Sequence, residues 1–463
     1  MLARHWPFVV VLSVGVALRV IVMLAYQPLL LLQMDTHAYL SQAIETGVSG
    51  WRPALYPLLI KPLVATGRLE PIAVVQHLAG IAVAFLLYAF MRRLGLSAVV
   101  AALGTVPALL DGFILNLEHY LLTEAFFNLF VVGALLLVAW PERPSWVGAG
   151  ASGLIIGLSA LLRFLGGVVV APVLLYLLLR RAGWTRVVAL AVGCALPLTA
   201  YGLWFRAETG SVGLTDRSGL FLFGRVVEFA DCGKVEVPDE LREFCDVEPS
   251  ATGTKGVFTS DLEIQRVLAS PQGNARLTRY SRLMITGLPG AYLGAVGGDF
   301  LRYFESTSPE SREPNVKRWR FVRTLEEADP RPEVVRAKGG PPPNTGIEAE
   351  FTIDPGLATF LRNYQSGAYT YGPLLAVLLL VGLAGGALGT ASGSVRRPAP
   401  ECWLFSLTAL ALLLTPTMVA VYHFRYVIPA LPLAGVAGSL GASALLRRFR
   451  QRHGALAEPG AEE

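Results

Sequence analysis

Hydrophobic residues in this chain form long runs separated by polar segments. Ten of these runs come close to the roughly 20 residues that cross a bilayer as an α-helix. The pattern therefore predicts an all-α polytopic membrane protein with about ten transmembrane helices. The predicted spans cover residues 7–26, 72–91, 98–116, 121–140, 146–163, 165–180, 184–205, 371–390, 402–421 and 425–446.

Two segments between the runs are long enough to fold outside the bilayer. Residues 27–71 form the first, with a helical pattern after Asp35, and residues 206–370 form the second. We expect three parts: an N-terminal transmembrane module over residues 1–205, an extracytoplasmic loop region over residues 206–370, and C-terminal helices with a basic tail over residues 371–463.

Charge supports the membrane interpretation. The chain is 53% hydrophobic and 16% charged, below the quarter typical of soluble domains. Arginines concentrate in alternate short loops, so the positive-inside rule predicts that both termini are cytoplasmic. No basic stripe is interleaved with aromatic residues, which excludes nucleic acid as a partner despite the net charge of +5. The loop and tail arginines are Arg92, Arg93, Arg143, Arg180, Arg181, Arg396, Arg397, Arg447, Arg448, Arg450 and Arg452.

Residues 283–298 are apolar but short, and they contain Pro289 and several glycines. If they crossed the membrane, the later basic loop and tail would lie opposite the earlier basic loops. We therefore expect an interfacial or loop-packed helix here.

The chain has four cysteines. Cys194 and Cys402 lie within predicted spans, where cysteine acts as a small apolar filler. Cys232 and Cys245 both lie in the second outer segment. Because that compartment is oxidising, they are predicted to form a disulfide, and two free thiols are the alternative. No second Cys/His pair with ligand spacing lies nearby, so no zinc site is predicted.

Asp35 stands at the head of the first outer segment. It either caps the helix that follows or acts as a general base. A carboxylate partly shielded from water would have a raised proton affinity and could accept a proton from a hydroxyl group.

A second polar group lies between the third and fourth runs. Glu118, His119, Tyr120 and Glu124 gather there, together with Asp111. Acidic groups inside a membrane bundle are costly and usually face a cavity or a partner. The alternative is that they only cap two helices.

Two arginines break the charge rule, because Arg163 and Arg425 lie at outer helix ends. Each either extends along the interface or binds an anion, since guanidinium groups hold phosphate oxygens in a fork. Arg52, in the first outer segment, is a third candidate. Arg19 and His77 lie inside spans and are interpreted as a paired structural charge and a satisfied buried histidine.

Four motifs together resemble the GT-C glycosyltransferase superfamily, which includes protein O-mannosyltransferases, lipid A aminoarabinose transferases and many bacterial lipid-carrier-dependent sugar transferases. They are MDTHAYL at 34–40, RPALYP at 52–57, EHYLLTE at 118–124 and FRYVIPALP at 424–432. The large outer loop is similar to that expected of actinobacterial members. Thr36 follows Asp35 where the mannosyltransferases tend to have Asp-Glu and the arabinosyltransferases Asp-Asp, so the subfamily stays open.

The resemblance implies an inverting transfer of a sugar from a polyprenyl-phosphate carrier to a glycan, lipid or protein hydroxyl. The reaction would occur at the outer face of a bacterial cytoplasmic membrane. Asp35 would be the base in a catalytic first outer loop, Glu118 or His119 would assist it, and arginines would hold the phosphate. No cofactor is required, and a divalent metal is left open. The phosphate ligands would be Arg52, Arg163 and Arg425, and the other substrate-binding candidates are His37, Tyr39, Tyr56, Tyr120, Glu124 and His423.

Three alternatives use the same features. A transporter or flippase of a lipid-linked or anionic substrate would show paired, broken helices in two matching halves. A polysaccharide polymerase or ligase would use a similar donor, and a receptor-like protein would use the outer segment to bind a partner. The polar groups lie at the outer membrane edge and no repeat is present, which favours sugar transfer.

Overall fold

A computed structural model describes residues 2–31, 35–247, 262–270, 272–307, 319–324, 327, 351–390 and 398–456, and most of these residues are helical. The first ten helices are α1 (Leu2–Ala25), α2 (Asp35–Glu45), α3 (Leu55–Val64), α4 (Glu70–Arg93), α5 (Ala98–Leu110), α6 (Gly112–Glu118), α7 (Glu124–Ala139), α8 (Trp146–Leu162), α9 (Val170–Leu179) and α10 (Trp184–Thr209).

The second half of the described chain is also helical. Its helices are α11 (Ser218–Val226), α12 (Leu262–Ala269), α13 (Gly273–Gly287), α14 (Pro289–Leu301), α15 (Pro355–Gly367), α16 (Gly372–Thr390), α17 (Ala399–Val419) and α18 (Ala430–Leu456). Four 3₁₀ helices cover Phe164–Val169, Asp239–Asp246, Arg302–Phe304 and Phe424–Val427. Two strands, β1 (Tyr26–Gln27) and β2 (Thr352–Ile353), pair antiparallel. The predicted all-α polytopic fold is confirmed, and so are the helices of the first outer loop.

Each of the ten predicted spans coincides with a helix or a pair of helices, but not all of them have full length. Within the described ranges, six helices are long and apolar enough to cross a membrane, or seven if α5 and α6 count as one bent span. Four other apolar helices in these ranges are shorter: Leu55–Val64 in the first outer segment, and Glu124–Ala139, Trp146–Leu162 and Phe164–Leu179 at predicted spans. By length and composition, the expected ten full spans therefore reduce to six or seven.

The bend between α5 and α6 is 52° and is centred on Asp111. The Asp111 side chain caps α6, because its Oδ1 accepts from the backbone N–H groups of Phe113 and Ile114. Its Oδ2 accepts from the N–H of Thr370 at 2.6 Å, which links the bend to the segment before α16. A carboxylate that satisfies N–H groups of a new helix start explains why the apolar run changes direction here.

The short basic loops meet at one end of the bundle. Arg93 Nε donates to Trp140 O at 2.9 Å, and Arg186 Nε donates to Pro144 O at 3.3 Å. Since consecutive helices alternate in direction, the outer segments meet at the other end. This arrangement agrees with the charge rule. Arg396 and Arg397, and the side chains of Arg450 and Arg452, lie outside the described residues.

Helices α8 and α10 run parallel and in close contact. A Cβ at Gly153 would lie 2.1 Å from Leu190 O, so only glycine permits this approach. Leu161, near the end of α8, packs with Tyr201, and α10 continues to Thr209. At 1.5 Å per residue, α8 therefore ends about 12 Å below the end of α10.

Part of the second outer segment has its own hydrophobic core. Leu220, Phe223, Tyr280 and other side chains of α11 to α13 pack together there. Cys232 and Cys245 are joined by a disulfide beside this core.

Residues 283–298 do not form one continuous helix. They divide between α13 and α14 at Leu288, and Tyr292 of α14 donates to Met418 O at 3.1 Å, at the end of α17. The segment is therefore packed against the bundle. The division of the chain into three parts stays a prediction.

Candidate active site at the outer end of the bundle

Five charged side chains from distant parts of the chain form one connected set of ion pairs, named here the charged cluster: Asp35, Arg52, Glu124, Arg163 and Arg425. Arg52 donates from Nε and Nη2 to Asp35 Oδ1, at 2.9 and 2.5 Å. Arg425 donates from Nη1 to Asp35 Oδ2 at 2.6 Å, and from Nε to Glu124 Oε1. Arg163 Nη1 donates to that Glu124 oxygen at 2.7 Å. Arg425 therefore joins the two carboxylates.

Each member of the cluster lies next to the end of a helix. Asp35 begins α2, and Glu124 begins α7. Arg163 is the C-cap of α8, in an extended conformation with φ −148° and ψ 129°. Arg425 lies in the 3₁₀ helix before α18, and Arg52 lies in the turn before α3. Charged residues that interrupt apolar runs are thereby collected at the outer end of the bundle.

The cluster is open on one side. The Glu124 and Arg425 side chains are only 2% and 11% exposed, whereas that of Asp35 is 26% exposed. The Arg52 side chain, at 19%, is also more exposed than that of Arg425. A ligand would therefore approach from the side of Asp35 and Arg52.

Aromatic rings flank the guanidinium groups. Arg52 lies 5.8 Å from the Tyr39 ring centroid, and Arg163 lies 5.4 Å from that of Tyr426. Arg425 lies 5.5 Å from the Trp319 ring. Sequence reasoning missed Trp319, which no periodicity or motif marks. These rings attract the guanidinium charges and limit their movement.

The electrostatics of Asp35 differ from the prediction. Burial raises the pKa of this carboxyl, but the charges of Arg425 and Arg52 and their hydrogen bonds outweigh burial. The net result holds the pKa of Asp35 well below its ordinary value. The expected raised proton affinity is therefore wrong for this arrangement, because two arginines stabilise the carboxylate.

The three arginines keep most of their hydrogen-bonding capacity. A guanidinium has five N–H donors. Among the described residues, Arg52, Arg163 and Arg425 together make only five hydrogen bonds, all of them to Asp35 and Glu124. The Arg52 side chain is 19% exposed, so part of this unused capacity faces the open side of the cluster. Unused guanidinium donors of this kind suit an anion.

A second charged group, named here the deep network, lies inside the bundle: Arg19, His77, Glu118 and His119. Arg19 donates from Nε and Nη2 to the two Glu118 oxygens, at 2.8 and 2.9 Å. It also donates to three backbone carbonyls, those of Gly15, Ala108 and Leu109. All four side chains are almost completely buried. The predictions of a paired Arg19 and a satisfied His77 are confirmed.

The two histidines extend the deep network to the backbone. His119 Nε2 lies 2.8 Å from Tyr26 O, which can only accept. His119 Nδ1 lies 3.1 Å from His77 Nε2, and His77 Nδ1 lies 3.0 Å from Glu118 Oε2. The ring nitrogens of both histidines therefore have partners within the bundle.

The structure therefore separates two groups of predicted residues. Glu118 and His119 bond to Arg19, His77 and Tyr26, and neither is brought to the charged cluster. Glu124, predicted only as a substrate-binding residue, instead bridges two arginines of the cluster.

The predicted aromatic site residues pack around the cluster. Tyr39 and Tyr56 are buried, with ring centroids 5.0 Å apart, and Tyr56 donates to Gln76 at 2.7 Å. Tyr120 and His423 both contact the Trp319 ring. The His37 side chain lies outside the described residues. Substrate contact by these residues stays a prediction.

Across the described part of the chain, no three His, Cys, Asp or Glu side chains gather in a way that could hold a metal ion. Both carboxylates of the cluster are bonded to guanidinium groups instead. The expectation that the reaction needs no metal stays a prediction.

No protein-family model matches the chain, and no curated protein matches it. Solved structures give weak fold similarity. One is the Archaeoglobus fulgidus oligosaccharyltransferase tethered with an acceptor peptide, with a TM-score of 0.40 and 12% identity. Another is the oligosaccharyltransferase AglB from Archaeoglobus fulgidus in complex with an inhibitory peptide and a dolichol-phosphate, with a TM-score of 0.39 and 13% identity. The whole of this chain is covered, but it spans only 52% and 53% of their lengths.

A third similar structure is ArnT from Cupriavidus metallidurans bound to undecaprenyl phosphate (TM-score 0.35, 12% identity), covering 96% of this chain and 79% of that one. Similarity at this level does not identify corresponding residues. The roles of residues in this chain are therefore assigned from the charged cluster itself.

Proposed function

We propose that this protein is an inverting glycosyltransferase that moves a sugar from a polyprenyl-phosphate carrier to an acceptor hydroxyl. The reaction takes place on the outer side of a bacterial cytoplasmic membrane, with both termini in the cytoplasm. The observation that carries the proposal is the charged cluster, in which a carboxylate and three arginines with spare donors share one partly open site.

The arginines suit a phosphate. Three guanidinium charges face two carboxylates, so the cluster has a formal excess of one positive charge. Guanidinium groups bind phosphate through paired, charge-assisted hydrogen bonds. A donor phosphate would bind the unpartnered N–H groups of Arg52, Arg163 and Arg425. These groups would then stabilise the charge that develops on the leaving phosphate.

The chemistry would proceed as one displacement. The acceptor oxygen attacks the anomeric carbon from the face opposite the phosphate, and the bond between that carbon and the phosphate oxygen breaks. The acceptor proton passes to Asp35. The polyprenyl phosphate leaves with the electron pair and remains on the arginines.

The basicity of Asp35 must rise before it can act as a base. In the cluster its oxygens accept three hydrogen bonds from Arg52 and Arg425, which lower its basicity. A donor phosphate on the unpartnered N–H groups of these arginines would place negative charge beside Asp35 and would thereby raise its pKa. Donor binding would then activate the base, so the donor binds before the acceptor reacts.

The helix lengths support a lipid-linked donor. Helices α7 and α8 have 16 and 17 residues, and their outer ends carry Glu124 and Arg163. Parallel α10 has 26 residues. The cluster therefore lies below the outer end of α10, near the level at which a lipid phosphate would lie.

The test is sugar transfer by protein purified in nanodiscs, with a radiolabelled polyprenyl-phosphate sugar. Asp35→Asn is expected to lower the transfer rate by about 10²–10⁴-fold, as loss of a general base does. Asp239→Asn, at a side chain that is 92% exposed, is the control and should transfer normally. Full turnover by Asp35→Asn would reject the proposed base. Movement of intact donor across liposomes without transfer would favour a flippase.

A further inference from the structure

We propose that Asp299 is a positioning residue for Arg425, which ties the disulfide-bonded outer segment to the charged cluster. The expected effect on the rate of sugar transfer rests on the proposed function, but the expected effect on the position of Arg425 does not. Asp299 lies in α14, is 7% exposed and has no contact with the cluster itself. Its effect would be transmitted through the backbone of the loop between α17 and α18.

Asp299 fixes that loop by a backbone hydrogen bond. Its Oδ2 accepts from the N–H of Tyr422 at 2.8 Å. Arg302 Nη1 donates to the other oxygen at 3.2 Å, and Arg302 Cζ lies 4.5 Å from the centroid of the Tyr422 ring. The Tyr303 ring also packs against Tyr422, at 4.8 Å. Tyr422 is therefore held on its backbone and on its ring.

The same loop leads directly to the cluster. His423 follows Tyr422, and its Nδ1 accepts from the backbone N–H of Arg425 at 3.2 Å. Trp319 then packs against both His423 and the Arg425 guanidinium, at 5.6 and 5.5 Å. Since Arg425 must reach two carboxylates at once, a small shift of this loop would break one of its two ion pairs.

Asp299 is in turn anchored to the outer segment. Arg225 of α11, which is completely buried, donates from Nη1 to Asp299 Oδ2 at 2.5 Å. Its neighbour Phe223 packs against Phe244, next to the disulfide cysteine Cys245. Arg225 also pairs with Glu228 of the same outer segment, so this buried arginine joins Asp299 to that segment. The position of Arg425 therefore depends on the folded outer segment.

The experiment compares Asp299→Ala, which loses the bond to Tyr422 N–H, with Asp299→Asn, which keeps an acceptor oxygen. Hydrogen exchange of the peptide covering residues 420–427 is measured in nanodiscs. We expect faster exchange in Asp299→Ala and nearly normal exchange in Asp299→Asn. Asp231→Ala, which removes a surface ion pair to Lys234 in the same outer segment, is the control. Equal exchange in all three variants would overturn the proposal.

The kinetic arm uses a double-mutant cycle. Asp299→Ala should lower kcat/KM for transfer by about tenfold to a hundredfold, as a small misplacement of a binding group does. Asp299→Asn should recover most of this loss. In an Arg425→Ala background, Asp299→Ala should cause no further loss, because both changes remove the same interaction.

Additive losses in that cycle would show a purely structural role and reject the positioning role. If Asp299→Ala does not fold, Asp299→Asn and Asp299→Gln still test the positioning role. Full activity and normal exchange of Asp299→Asn together with slow transfer by Asp299→Gln would support it. Normal transfer by Asp299→Gln would count against it. Absence of transfer by the unmodified protein would reject the proposed function alone, since the exchange measurement needs no substrate.

Discussion

The deep network and the charged cluster are built from the same kinds of residue but satisfy them differently. Arg19 makes five hydrogen bonds, as many as its N–H donors, and three of them go to backbone carbonyls. The three arginines of the charged cluster together make five hydrogen bonds, all of them to carboxylates. Arg19 in the deep network therefore has no N–H donor left for a ligand, whereas the arginines of the cluster have most of theirs.

This difference separates a structural charge from an exchangeable one. A charge inside a membrane bundle is tolerated when its partner and its hydrogen bonds are complete. Ion pairs that leave donors unused, on a site with an open side, can change partners when an anion arrives. Glu118 and Asp35 are both paired carboxylates, yet only Asp35 lies where a substrate could replace its partners.

The largest expected effect is on the stability of the protein when the deep network loses a charge. Glu118→Gln should lower the free energy of unfolding by about 3–5 kcal/mol, because Arg19 would be left as an uncompensated buried charge. Reversible unfolding in mixed micelles gives this number. Glu70→Gln, at an exposed pair with Arg68, should cost less than about 1 kcal/mol.

An unchanged stability together with lost transfer would contradict this distinction. It would support the catalytic role that the sequence predicted for Glu118. Replacing both partners, as Arg19→Met with Glu118→Leu, should recover much of the stability lost in Glu118→Gln, since no charge is then left unpaired.

A smaller effect is expected for the charged cluster, where a substitution should weaken ligand binding. Arg425→Ala should weaken binding of polyprenyl phosphate by about tenfold to a hundredfold, since a hydrogen bond to a charged group contributes roughly 1.5–3 kcal/mol. Titration of nanodisc-embedded protein with the lipid phosphate measures this affinity. Arg68→Ala, an exposed arginine outside the cluster, is the control. Unchanged affinity would show that Arg425 only balances Asp35 and Glu124.

The smallest effect concerns acid stability. The folded-state pKa of Asp35 is lowered, so its ion pairs contribute stability above the ordinary aspartate pKa of about 3.9. That contribution is lost as the pH falls from there towards the folded-state value. The difference in Tm between the unmodified protein and Asp35→Asn should be constant from pH 5 to 8 and shrink below about pH 4. A difference that changes near neutral pH would show that Asp35 titrates there.

The sequence predicted the architecture of the site well because hydrophobic length and alternation govern it. Once the runs are placed, Asp35, Arg52, Arg163 and Arg425 must all lie at outer helix ends. Their convergence into direct ion pairs follows from the compact bundle. The predicted span 146–163 agrees closely with α8, whereas α7 begins only at Glu124 and the span 165–180 divides into a 3₁₀ helix and α9.

Partner choice was harder to predict, because spacing along the chain does not say which neighbour a side chain meets. Glu118 and Glu124 are six residues apart, but a turn separates α6 from α7, so one meets Arg19 and the other meets Arg163. One signal was available: an arginine inside a span needs a carboxylate. That requirement could have assigned Glu118 to Arg19.

The bond between Asp35 and Arg425 joins residues 390 positions apart. Its formation has a consequence for biogenesis. The ribosome must synthesise the chain beyond Arg425, and the membrane must accept α17 and α18, before Asp35 can meet this partner. Prematurely terminated or incompletely inserted chains would thus lack a complete charged cluster, whatever the state of their N-terminal half.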